Sequence, residues 1–106
     1  MEVVHFKAGT WRSGPVMTAT TFTQRWRGLR GSAPETALLL HTSSVHGIGM
    51  NRNFHAVGLS GQYEVLGTRF VTPGRMVRFS NCDWVLELPE LISPPATGAV
   101  LELVDD

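Results

Sequence analysis

Apolar residues in this sequence come in short bursts, broken at close intervals by Gly, Pro, Asn and Ser. Val3 to Phe6, Pro15 to Thr20, Ala37 to Thr42, Val45 to Met50 and His55 to Leu59 are such runs in the first part of the chain. Tyr63 to Val71, Met76 to Phe79, Trp84 to Leu88 and Ala99 to Val104 follow. All have strand length, and their Val, Leu, Phe, Thr and Trp suit a pleated, half-buried surface. Ser60-Gly61 and Thr72-Pro73-Gly74-Arg75 are the clearest turns, because Gly supplies positive φ and Pro presets its own. Many short strands with frequent turns point to a mainly β chain, folded as a compact antiparallel barrel or sandwich.

One segment reads differently. Thr21-Phe22-Thr23-Gln24 fits a capping box, in which a threonine oxygen takes the N3 amide and the glutamine reaches back to the cap amide. Phe22, Trp26 and Leu29 then form one stripe, which predicts a short α-helix near residues 22–29. Arg25, Arg27 and Arg30 fall off that stripe, and Gly28 and Gly31 are stop signals. Two turns are too short to be stable alone, so Phe22 and Trp26 must pin the helix to the sheet.

At 106 residues the chain reads as one domain, 1–106. Its 42% apolar content is enough for one core. Formal net charge is zero, so no global field draws in nucleic acid or an anionic membrane, and nucleic acid reads as an unlikely partner. The charge is uneven: Lys7, Arg12, Arg25, Arg27 and Arg30 fall in the acid-free stretch between Glu2 and Glu35. Glu64, Asp83, Glu87, Glu90, Glu102, Asp105 and Asp106 come later; ordinary surface pairs between the halves are the expectation. A single cysteine, Cys82, rules out an internal disulfide and points either to a reducing compartment or to a domain that never needed a disulfide. The start lacks a basic n-region and long apolar h-region, and no run approaches membrane-spanning length. A soluble cytoplasmic protein without a membrane partner is therefore expected, although a trimmed chain would read the same.

Few residues carry a chemical signature. His5, His41, His46 and His55 invite a metal site, but no pair has strand or helix ligand spacing, so neither metal nor cofactor is expected. No serine lies in a Gly-x-Ser-x-Gly elbow, and Cys82 lacks a basic neighbour in sequence to activate it. Glu87 is the acid inside an apolar strand. Alternation sets it opposite Trp84, Leu86 and Leu88, either facing solvent or pairing with one of the helix arginines. Gly47-Ile48-Gly49 marks a corner or a place where a ligand sits beside His46 and Met50.

Four blocks in order carry a family resemblance. Thr21-x-x-Gln24-Arg25-x-Arg27-Gly28-Leu29-x-Gly31 resembles the Thr-Pro-Glu-Glu-Arg-x-Arg-Gly-Leu-Met-Gly-Arg segment of the domain of unknown function 192 family. His46-Gly47-Ile48-Gly49-Met50 is similar to its His-x-Phe-Gly-Met element. Pro73-Gly74-Arg75 and Val85-Leu86-Glu87-Leu88-Pro89 match its later turn and strand. The match runs from about residue 17 to the end. Two aspartates of the family pattern are Ala56 and Ser60 here, and the Met and Arg flanking the last glycine of the first block are Arg30 and Ser32. The resemblance implies a mostly β, jelly-roll-like barrel or sandwich with one short helix, and it implies no activity.

Arg25, Arg27, His46, Met50 and Glu87 are the candidate ligand-binding residues, all at positions that match the motifs. Holding the fold together is their competing role. The expected function is that of a non-enzymatic binding or accessory module, with a small anionic ligand or a protein as partner. The alternative is a small hydrolase, lyase or metal-dependent enzyme using a pocket near His46.

Overall fold

The computed structural model describes residues 3–19, 37–46 and 53–104. The apolar runs become strands β1 (Val3–Ala8), β2 (Trp11–Ala19), β3 (Ala37–Leu40), β4 (Ser44–His46) and β5 (Phe54–Leu59). They continue as β6 (Val65–Val71), β7 (Met76–Arg78), β8 (Trp84–Pro89) and β9 (Glu102–Leu103). Seven form one sheet in the order β6-β5-β8-β3-β2-β1-β9, while β4 and β7 pair separately. All four residues of β3 are buried, as are the middle four of β8. These central strands are covered on both faces, which explains their nearly unbroken apolar sequence.

The register sorts side chains into two cores. Phe6, Val16, Leu39, Val57, Leu59, Val65, Leu86, Leu88 and Leu101 pack on one face. Phe6 of β1 and Val65 of β6, from near opposite ends of the strand order, belong to the same cluster, so this core lies inside the curve. Leu38, Leu40, Phe54, Ala56, Val71, Cys82 and Val85 form the other core, with Val77 and Phe79 packed against it. Full burial of one such leucine contributes about 1.5–3 kcal/mol. Close approach of the small sheet imposes a glycine: a Cβ on Gly58 would lie 2.8 Å from the Phe79 ring.

The expected closed antiparallel barrel or sandwich with an added helix is corrected to an open, mainly β half-barrel. The margins β6 and β9 do not pair as strands among the described residues. They meet through one bridge, Glu64 to Val100, where Leu101 N donates to Tyr63 O at 2.9 Å. Closure stops there because Glu102 and Leu103 turn their pairing to Lys7 and Phe6 of β1, leaving β9 too short to seal the seam. Nor is the sheet wholly antiparallel: β2 runs parallel to β3, with Val16 opposite Ala37 and Ala19 opposite Leu40. No helix occurs among the described residues; the one expected near residues 22–29 falls outside them. None of the described residues forms a helix long and apolar enough to cross a membrane.

Both expected turns form, by different means. Gly74 has φ of 84°, and Arg75 N donates to Thr72 O at 3.1 Å. At Ser60-Gly61 the positive φ, 66°, belongs to Tyr63 instead. Ser60 Oγ accepts the amides of Gln62 and Glu64. The Tyr63 ring sits edge-on to Phe6 at 5.1 Å, which holds that conformation from the core side.

Candidate functional site

Among the predicted residues, Arg25, Arg27 and Met50 lie outside the described residues, as does the Gly47-Ile48-Gly49 corner. His46 closes β4, opposite Met76 of β7. Glu87 is placed in full. It stands in β8 between Leu38 of β3 and Ala56 of β5, on the face away from Leu86 and Leu88, as strand alternation requires. Solvent exposure is not its state, because only 5% of its surface is accessible. A carboxylate enclosed between Leu38 and Ala56 loses its hydration and needs interactions to replace it. Glu87 is engaged in such interactions.

The histidines disperse. His5 belongs to β1, opposite Pro15. His41 follows β3 and stacks at a tilt on Trp84, with ring centroids 4.6 Å apart. His55 Nε2 lies 3.0 Å from Glu90 O, with Phe70 5.1 Å away. No group of three His, Cys, Asp or Glu that could hold a metal ion occurs among the described residues.

Cys82 is a structural thiol. It is buried, and its Sγ donates to Trp84 O at 3.3 Å and faces Thr42 O at 3.5 Å. Burial pushes the thiol above its ordinary value, and the charge of Asp83 adds to the rise. Both effects disfavour the thiolate, which is the reactive form.

A different region gathers charge and space. A cleft of about 470 Å³ opens between β6 and β7. Thr68 and Arg69 line it from β6, Arg78 and Ser80 from the β7 side, and Thr97 from the C-terminal segment. Gly67 contributes only backbone to the wall, and a Cβ there would meet nothing within 4 Å. None of the lining residues is acidic. The sequence did hold a signal for this site: Arg69, Arg75 and Arg78 fall between Glu64 and Asp83 with no acid among them. A division of charge into a basic N-terminal third and an acidic remainder hides that local run.

No protein-family model matches the chain, and no curated protein matches it. Among solved structures it is similar to a "putative transcription regulator" from Sinorhizobium meliloti 1021, at 20% sequence identity. The likeness covers 96% of this chain and 92% of that one, with a TM-score of 0.69. The half-barrel is a fold they share. The comparison also overturns the expectation that nucleic acid is an unlikely partner, since a protein of this fold carries a regulator's name. The physical flaw in that expectation is scale. Zero net charge describes the far field, whereas a ligand at contact range meets local charge within about one Debye length, roughly 8–10 Å.

Proposed function

We propose that this chain is a non-catalytic binding module, acting in regulation within a reducing, cytoplasmic compartment. The burial of Glu87 carries the reading. A hydrolase or lyase built on His46 needs an orienting group at an open cavity, and the carboxylate best suited to that task is enclosed against Leu38 and Ala56. We assign Glu87 the architectural role of receiving Arg25 or Arg27. A guanidinium supplies the paired donors that a buried carboxylate accepts best. Losing one partner of a buried pair of this kind costs about 3–5 kcal/mol.

Two further observations support a binding role. The Sinorhizobium meliloti structure with this fold is named a "putative transcription regulator", which supports a regulatory role with nucleic acid as a partner. The four ordered sequence blocks support a kinship with the domain of unknown function 192 family, whose motifs include the positions of His46 and Met50. Chromogenic carboxylic and phosphoric esters offered to the purified protein should show no turnover above background. Turnover that His46→Ala abolishes, in a variant whose melting temperature is unchanged, would establish an enzyme and remove this proposal.

A further inference from the structure

We infer that the cleft between β6 and β7 is a binding site for a phosphate group. This goes beyond the module reading above, because none of its residues belongs to the motif set. Arg69 and Arg78 line one open space of about 470 Å³. Neither has an ion-pair partner among the described residues. Two like charges sharing a cleft repel each other, and an anion between them turns that repulsion into two charge-assisted contacts. Guanidinium groups present planar paired donors that match phosphate oxygens, and the hydroxyl-bearing residues Ser80 and Thr97 line the same space. Phosphate brings more acceptor oxygens than a carboxylate, so it uses this donor-rich lining more fully. The cleft falls in the size range of small-ligand sites and is larger than one phosphate, leaving room for the remainder of a nucleotide or a strand.

The shared chemistry is the phosphate group, and its sources are a free phosphate compound or a nucleic-acid backbone. The test uses inorganic pyrophosphate, by calorimetry, and a short fluorescein-labelled DNA duplex, by anisotropy across a salt series. At least one probe is expected to bind, and binding should weaken about tenfold or more in the Arg69→Ala/Arg78→Ala variant. DNA binding with a steep salt slope, which flattens by about one for each arginine removed, identifies the backbone as the source. Pyrophosphate binding without DNA binding identifies a small phosphate compound. Gly67→Val is the second variant: a Cβ at this position meets nothing within 4 Å, and the added side chain narrows the cleft, so it should weaken binding with unchanged melting. Binding of neither probe, or binding that both variants leave intact, overturns the assignment.

Discussion

Burial acts on individual residues here more than charge does. Glu87 and Cys82 are both ionisable, and both are buried. For Cys82 the linkage is direct. Its folded pKa is raised above the ordinary 9.0, so below that pH both folded and unfolded chains hold the proton and no stability depends on it. Above it the unfolded chain releases the proton first, and stability falls as pH rises toward the folded value. Melting temperatures followed through pH 9.0 and above should decline, and Cys82→Ala should decline less steeply. Glu87→Gln keeps the shape but removes the charge. Urea denaturation should show a loss of about 3–5 kcal/mol if it deprives a buried cation of its partner, whereas a loss below about 1 kcal/mol would argue against the proposed arginine pairing.

Among the elements, β5 and the segment after β7 approach each other closely. Phe79 lies against Gly58 at a distance no ordinary Cβ tolerates, and Phe79 N donates to Ser43 O at 2.8 Å beside β4. The small sheet is thereby held on the second core. Gly58→Ala should cost about 1–3 kcal/mol through overpacking, read by urea denaturation. Adding Phe79→Leu should recover part of that loss in a double-mutant cycle; strict additivity would show that the clash is relieved elsewhere. Glu87 illustrates the limit of reading an element by sequence. Its side of β8 follows from alternation with Leu86 and Leu88, but whether that side meets water depends on which segments pack over the sheet.

In the whole molecule, the two margins of the sheet are tied at one end by a thin C-terminal segment. Leu101 is buried in the inner core while its neighbours Val100 and Glu102 are exposed. Trp11 Nε1 reaches Ser93 O at 2.7 Å, fastening the start of β2 to the same region. Leu101→Ala is expected to cost about 2–5 kcal/mol. Hydrogen exchange should rise first at Val65, Gly98 and Leu101, whose amides join that seam; uniform acceleration throughout the sheet would show that the seam is no separate unit. The sequence by itself determined the positions of the strands, the turn at Gly74 and the side of β8 on which Glu87 projects. Those properties rest on periodicity and backbone chemistry, which act within a few residues. Only the tertiary structure decided that the half-barrel stays open, that β2 and β3 run parallel, and that Arg69 and Arg78 share a cleft. Each of these depends on which distant segments pair, a choice made by the packing of the whole chain.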